Sequence, residues 1–590
     1  MEFLSEVRMK KIWIPTIIAL LVPVLVAGQQ ARVAPDLFGV TGTSPVPVIV
    51  QFSQPPTPIL KARVYAHGGT VAADLPLIQA VVARVPASEL ANLANEAGVK
   101  YVSPDRPVRG FMNNAAPAVL ANYAWGSGLS GDGIGVAVID SGIHPVDDLV
   151  QNPVQSGVLQ SFDFTGKGND DQYGHGTHVA GIIAGNGFDS TCPTCTVTIQ
   201  GIAPRVNLVS LRVLDGNGQG SDSTVIAALQ AAIALKNQYN IRVINLSLGR
   251  PVFESYTQDP VCQAVEQAWK AGIVVVVAAG NGGRDNSAGN HGYGTITVPG
   301  NDPYVITVGA TNTKGTPDRG DDVMTSYSSK GPTAVDHIVK PDLVAPGNRI
   351  VSLLEPGYLS STYPQNRVLP SYYQQGGTGA LSTSYFILSG SSMSSGVVSG
   401  AVALMLQQNP ALTPDQIKAR LMKTAYKNLP RYTTVVDGDQ TFYIQSDVLT
   451  VGTGLLDVQA VLMNTDLAPG VAKSPTAYYD SATGNVFFLA DPTTPWGQSA
   501  MWGSSAMWGS SAVWGSSAFT GDSAMWGSSA MWGSSAIWGD SAMWGSSAMW
   551  GSSAMWGSSA MWGSSAMWGS SAMWGSSSVA AENLAITGEK

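Results

Sequence analysis

Charge is scarce in this chain. Of its 590 residues only 12% are Asp, Glu, Lys or Arg, against roughly a quarter in an average soluble protein. Lys and Arg number 31 and Asp and Glu 40, a formal net charge of −9, and no dense basic run is there to track a phosphate backbone. Nucleic acid is therefore excluded as a partner. Cysteine is rarer still: 3 residues cannot build a disulfide framework for a chain of this length, so the fold must rest on ordinary hydrophobic cores. Long apolar runs are missing apart from Ile12 to Ala27. Pro15 and Pro23 interrupt that run, and it falls short of the roughly 20 residues of a spanning helix. Lys10 and Lys11 precede it and the small residues Val26-Ala27-Gly28 close it, so residues 1–28 read as a cleaved secretory signal. Met9 makes a more typical start for such a signal than Met1. Low charge agrees with export, and the remaining chain is expected to be secreted, either soluble or held at the cell surface.

What the chain has in excess is tryptophan in one place. Of 16 Trp, 13 lie between Trp496 and Trp574, in a recurring hexad Trp-Gly-Ser-Ser-Ala-Met whose first position is broken only at Thr520. Six is even, so in a strand every Trp faces one way and every preceding Met the other, whereas in a helix each Trp is rotated away from the last. A Gly in every unit also disfavours helix. Two readings stay open: an extended β-rich or solenoid stack, since parallel β-helices use a hexad period, and a disordered Gly/Ser-rich tail. The heavy apolar load favours the first, with surface attachment, self-association or polysaccharide binding as its role. Residues 496–577 are thus set apart as the array, 464–495 as a linker and 578–590 as a tail.

From Val46 to Gly110 short β-rich runs, Val46 to Val50 and Ala80 to Val85, alternate with segments of helical spacing, one of them Leu90 to Ala97 behind Pro86 and Ser88-Glu89. This is a small α+β unit closing on an extended Tyr101-Val102-Ser103-Pro104-Asp105. Further on, Val136-Ala137-Val138-Ile139 is a buried-strand pattern ending at Asp140-Ser141-Gly142. His175-Gly176-Thr177-His178-Val179-Ala180-Gly181 opens an apolar helix, Val274 to Val277 leads to Ala279-Gly280-Asn281, and Gly390-Ser391-Ser392-Met393 runs into a helix ending near Leu406. Strand followed by helix, repeated, predicts a doubly wound parallel sheet, whose functional side chains gather along one edge.

The order Asp, His, Ser, together with Asn245-Leu246-Ser247-Leu248-Gly249, makes the region from Ala124 to about Val461 resemble the subtilisin-like serine proteases (subtilases, peptidase family S8). The resemblance implies an α/β subtilisin-like catalytic domain over 113–463 and an Asp140, His175, Ser392 triad. It also assigns the oxyanion donors to the Asn281 side chain and the Ser392 N–H. The residue types suit acyl transfer. A serine hydroxyl needs a neighbouring base, a neutral imidazole serves near pH 7, and a carboxylate holds its tautomer. Loss of one oxyanion donor typically costs about 3 kcal/mol of transition-state stabilisation. Register selects Ser392 over Ser391 and makes His178 a packing residue. His175-x-x-His178 as half of a zinc site lacks an intervening Glu and a third ligand motif.

By the same resemblance Ser247-Leu248-Gly249 and Asn217-Gly218-Gln219 correspond to edge strands that hold a peptide substrate between them. Thr297 falls at the floor of the pocket for the residue before the scissile bond, where many relatives carry Gly; small or medium apolar residues are expected there. No cofactor is needed for the chemistry. Structural calcium is a family trait, but Asp147, Asp148, Asp170 and Asp171 read as solvated loop charges. Gly396 and Val397 replace the usual Pro and His, which predicts a softer helix after the nucleophile. The insertion from Leu353 to Tyr385 is expected as a surface loop near the active-site edge. Cys192 and Cys195 read as a local disulfide and Cys262 as a buried small apolar residue. Residues 29–112 resemble the ferredoxin-like inhibitory propeptide of subtilases (inhibitor I9 type), an intramolecular inhibitor removed autocatalytically between Asp105 and Tyr123. The competing function is a surface-binding or structural repeat protein with a degenerate protease domain, which the intact Asp140, His175, Asn281 and Ser392 disfavour.

Overall fold

The computed structural model describes residues 32–104 and 115–495, with short breaks, and residues 588–589. The secretory signal and the hexad array assigned from sequence lie outside the described residues. The chain divides into two compact units, Met1–Val108 and Arg109–Lys590.

In the first unit the elements run β1 (Pro45–Phe52), α1 (Pro58–Ala66), β2 (Thr70–Leu75), β3 (Ala80–Pro86), α2 (Leu90–Ala94) and β4 (Val99–Pro104). The sheet order is β2-β3-β1-β4, all antiparallel. This is the βαββαβ arrangement of ferredoxin-like folds, as the resemblance implied. Alternation along β1 buries Val48, Val50 and Phe52 on one face, where Leu60 and Val64 of α1 and Leu90 and Leu93 of α2 complete the core. Thr57 caps α1 by accepting from the Leu60 N–H, with Pro58 in the first turn. The second helix is shorter than its periodicity predicts. The amides of Asn95 and Glu96 bond back three residues, to Asn92 and Leu93, which tightens and ends it.

The second unit is built on an eight-stranded sheet. Its strands are β5 (Gly135–Asp140), β6 (Val158–Asp163), β7 (Asn207–Arg212), β8 (Ile241–Leu246), β9 (Val274–Ala278), β10 (Ile306–Asn312), β11 (Val323–Met324) and β12 (Leu343–Pro346). The order is β11-β10-β9-β8-β5-β7-β6, with β12 alongside β10. All pairs are parallel except β10 with β11. Every residue of β5 and β9 is buried, the pattern of strands covered on both faces. The chain leaves β5 for β6 and β7 on one side and reaches β8 to β10 on the other, so the carboxyl end of β5 is the topological switch point where such sheets place ligands. Around the sheet lie α3 (His175–Ala184), α4 (Asp222–Tyr239), α5 (Pro260–Lys270), α6 (Ser391–Gln408) and α7 (Pro414–Thr424), with a hairpin of β13 (Ile350–Leu353) and β14 (Tyr385–Leu388). A second hairpin, β15 (Tyr432–Asp437) with β16 (Gln440–Gln445), follows α7.

Cys192 and Cys195 form the expected disulfide, with Cα atoms 4.9 Å apart. Cys262 is buried on α5, its thiol pushed up by burial and donating to Asn301 Oδ1 at 3.3 Å. Residues 464–495, a linker by sequence, are in part folded onto the second unit. Ala468, Ala472 and Ala477 are buried, and β17 (Thr476–Asp480) pairs with β18 (Asn485–Leu489). The anchor is polar: Ser474 donates its hydroxyl to Asp342 Oδ1, Lys340 Nζ lies 2.7 Å from Asp342 Oδ2, and Lys418 Nζ lies 2.9 Å from Ser474 Oγ and 3.2 Å from Asp342 Oδ1. Asp342, Lys340 and Lys418 are wholly buried. Burial works against the Asp342 charge, yet the two ammonium groups outweigh it and hold its carboxyl below the usual range. Asp342→Ala is expected to strand both ammonium groups and cost about 3–5 kcal/mol. Urea unfolding in a Ser392→Ala background measures it; a loss under about 1 kcal/mol, as for an exposed pair, would show that the cluster does not hold the segment.

Candidate active site

Strand β5 ends in Asp140, which is fully buried. Its Oδ1 accepts from the Ser141 N–H at 2.7 Å and lies 2.8 Å from His175 Nδ1. A buried carboxylate needs such partners to stay ionised. His175 is the first residue of α3 and its side chain is 16% exposed, so one ring nitrogen is turned to Asp140 while the ring keeps a way out to the surface. Gly176 makes this approach sterically open: a Cβ there would stand 2.1 Å from the Gly142 carbonyl oxygen. Burial acts to discharge His175, but the charge and hydrogen bond of Asp140, with Asp171 behind it, outweigh that effect and raise its pKa above the ordinary 6.5.

Asp171 was assigned to a solvated loop, and that reading is corrected. It is fully buried and its carboxylate accepts from the backbone N–H groups of Tyr173, Gly174 and Thr177 and from the Thr177 hydroxyl. It caps the helix that presents His175. Asp148 is likewise buried, taking the Tyr385 hydroxyl at 2.6 Å and the Asp189 N–H at 2.7 Å. Asp147 is exposed, and Asp170 pairs with His144 at 2.8 Å. Among the described residues no three His, Cys, Asp or Glu side chains gather as a metal centre built from those side chains would require. His178 is packed as expected: Nε2 lies 3.1 Å from the carbonyls of Ile350 and Phe386, and burial drops its pKa to about 3.

Ser392 lies in the first turn of α6, where backbone N–H groups are unpaired by the helix and the helix dipole favours negative charge. Its hydroxyl donates to the Ser247 carbonyl at 3.2 Å. Asn281, beyond β9, accepts from the Ser391 N–H through Oδ1 at 2.9 Å. A backbone amide can only donate, which settles the flip of the side chain and turns Nδ2 the other way, 3.1 Å from the position a Gly390 Cβ would take. Ser391 thus positions Asn281 and is no competing nucleophile.

A buried serine network underlies α6. Ser247 Oγ lies 2.8 Å from Ser395 Oγ and from Asn245 Nδ2, Ser399 donates to Asn245 Oδ1 at 2.8 Å, and Ser394 to the Ala345 carbonyl at 2.9 Å. The helix is continuous through Gly396, where a Cβ would lie 3.2 Å from Ile182 of α3. Gly396 therefore marks close packing between the helices bearing His175 and Ser392.

Of the substrate-binding candidates, Ser247, Leu248 and Gly249 run on from β8. Thr297 lies against Gly249, whose added Cβ would meet Thr297 Oγ1 at 2.5 Å, and against Gly280. Asn217, Gly218 and Gln219 differ from expectation: they form a tight turn closed on Asp215, with Asp215 N–H to the Gln219 carbonyl at 2.8 Å and Gly218 N–H to the Asp215 carbonyl at 3.0 Å. The Asp215 side chain, accepting from Asn217 and Gln219, competes with an extended strand. The turn packs on Tyr173. The Leu353 to Tyr385 insertion reaches the same place, Tyr358 stacking on Tyr173 at 5.7 Å. It also brings Glu355, which burial and Asp171 push up to about 7.

A carboxylate at a strand end, an imidazole at one helix start and a hydroxyl at another, in the order Asp, His, Ser on a doubly wound parallel sheet, describe an α/β serine hydrolase. The family model of the subtilase family matches residues 131–452, and the chain belongs to that family. It is 36% identical to the serine protease AprX of Bacillus subtilis (strain 168), over 58% of this chain and 72% of that protein. Subtilisin E of the same organism is 29% identical over 77% of this chain and 99% of its own. The extracellular serine proteinase of Thermus sp. (strain Rt41A) is 32% identical over 60% and 72%.

Only neutral His175 can accept a proton, so its raised pKa is expected to set the acid limb of kcat/KM above pH 6.5. Asp140→Asn removes the charge that raises it; the limb of the residual activity should move down while kcat falls by about 10⁴-fold. A limb that stayed in place would assign it to another group.

Proposed function

We propose that this serine endopeptidase cleaves peptide bonds through Asp140, His175 and Ser392, with Asn281 and the Ser392 N–H as oxyanion donors. The observation that carries the reading is the 2.8 Å contact of buried Asp140 with His175 Nδ1, and the Ser391 amide that orients Asn281 supports it. In the first step Ser392 Oγ turns to His175 Nε2, gives up its proton and attacks the carbonyl carbon. The carbonyl electron pair moves onto oxygen, where Asn281 Nδ2 and the Ser392 amide stabilise it. His175 then protonates the leaving amine, and the C–N bond breaks to give the acyl-enzyme. Water, deprotonated by His175, attacks the ester and restores Ser392. These steps use the chain's own side chains, one backbone amide and water. Substrate would lie along Ser247, Leu248 and Gly249, with the turn Asn217, Gly218 and Gln219 opposite and Thr297 closing the pocket.

The enzyme is read as exported and made as a self-inhibited precursor, its ferredoxin-like first unit serving as propeptide. Among the described residues no helix is long and apolar enough to cross a membrane. Ala115, Ala116, Val119 and Ala121 belong to the hydrophobic core of the second unit, which supports a release cut at 105–114, the first part of the window from Asp105 to Tyr123. Surface retention or self-association through the hexads rests on sequence pattern alone.

The purified protein should hydrolyse casein and lose this to a serine-directed phosphonate. Ser392→Ala should lower kcat by about 10⁶-fold, as loss of the nucleophile does in a related enzyme, and should accumulate as uncut precursor. Precursor from Ser392→Ala that was still cut within 105–114 would assign processing to another protease. On a peptide library, small or medium apolar residues should be preferred before the scissile bond; best cleavage after bulky aromatic residues would remove Thr297 from the pocket floor.

A further inference from the structure

Beyond the hexad array the chain returns to the second unit. Glu589 is 4% exposed although it carries a charge. Its Oε1 accepts from the Ser326 N–H at 2.8 Å, from the Ser326 hydroxyl, and from Arg284 Nη2 at 3.2 Å. Its own peptide group is read by Asn348: the Glu589 N–H donates to Asn348 Oδ1 at 2.8 Å and the Glu589 carbonyl accepts from Asn348 Nδ2 at 2.9 Å. Arg284 is fixed in turn by Asp437 at 2.8 Å and by the Phe442 ring at 4.0 Å, both from the β15–β16 hairpin. The residue ahead of Glu589 is equally constrained. Gly588 has φ +72, and a Cβ there would stand 2.3 Å from Ser389 Oγ and 2.6 Å from Arg349 Cγ. Glu589 Oε1, its main chain and the missing Cβ of Gly588 are each met by the recess, while Glu589 Oε2 is buried without a hydrogen-bond partner.

Its position bears on the nucleophile. Ser389 accepts from the Arg349 N–H at 2.7 Å, and the Gly390 N–H donates to the Gly347 carbonyl at 2.8 Å. The wall of the recess, Gly347 to Arg349, is therefore bonded to the stretch that leads into Ser392. At the other end of the array Thr494 and Pro495 are buried.

We propose that the recess formed by Arg284, Ser326, Asn348 and Ser389 is a binding site for an acidic peptide segment, occupied by the chain's own Gly588–Glu589. It acts as a latch that ties the far end of the hexad array beside the nucleophile. Thr494 and Pro495 ahead of the array and Glu589 beyond it are all buried. A charged side chain buried with charge-assisted hydrogen bonds is the kind of contact that survives only when its partners match.

Hydrogen exchange tests this on the full chain carrying Ser392→Ala, which prevents self-digestion. The Ser326 amide, which donates to Glu589, should be protected. It should exchange at least about 10-fold faster when Glu589→Gln or Gly588→Val is added, with strands β8 and β9 unchanged, as expected for local release rather than unfolding. Equal protection with and without these changes would overturn the latch. Sedimentation identifies the occupant: a monomer with Ser326 protected supports the chain's own segment, whereas a dimer that Glu589→Gln dissociates would assign the recess to the tail of a second copy and overturn the intramolecular form.

Discussion

The negative charge of Asp140 is held at the carboxyl end of β5 with no exposure to water, and much of the peptidase unit can be understood as its consequence. An ionised carboxylate in that place is tolerable only with donors around it. The Ser141 amide and His175 both supply theirs to Oδ1, while Oδ2 is buried without a partner. The same pairing draws the imidazole to one orientation and raises its proton affinity. A second buried carboxylate, Asp171, secures the helix that carries the ring. Two acids thus act on one histidine from different directions, one by direct contact and one by fixing the backbone.

The nucleophile side is held by neutral groups. Ser247, Ser394, Ser395 and Ser399 direct their hydroxyls into carbonyls or each other beneath α6. Hydroxyl groups can both donate and accept, so a row of them satisfies a buried helix start without introducing charge near a developing oxyanion. Small residues are also what permits α6 to approach α3 at Gly396 and Ile182. Gly396, a residue of low helix propensity compared with Ala, belongs to a close-packed contact between the helices bearing His175 and Ser392.

Much of this was legible. Continuous apolar runs ending in Asp140 or leading to Asn281, and glycine-rich turns opening helices at His175 and Ser392, carry their own physical meaning. Local pairing was legible as well, as in Cys192 with Cys195. Other residues were misread because their partners are remote. Asp171 looks like loop charge until the start of α3 folds back on it, although an acid just ahead of a helix is a capping signal. Asn217 to Gln219 match an edge strand by alignment, but the Asp215 side chain closes them into a turn. The 464–495 segment reads as a linker by its lack of a periodic pattern, and its attachment draws on Ser474 meeting Asp342 and Lys418, which are far away in the chain.

By itself the sequence determined the class of fold, the candidate reacting groups and the order in which they occur, because these depend on periodicity, strand and helix boundaries and motif spacing, all of which are local. Only the tertiary structure decided which acids are buried, which way the Asn281 amide is turned, where the Ser392 hydroxyl rests, and that Glu589 returns to Arg284 and Ser326. Those depend on desolvation and on donors and acceptors brought together across hundreds of residues, and no local pattern encodes the distance between groups that meet only when the sheet is assembled.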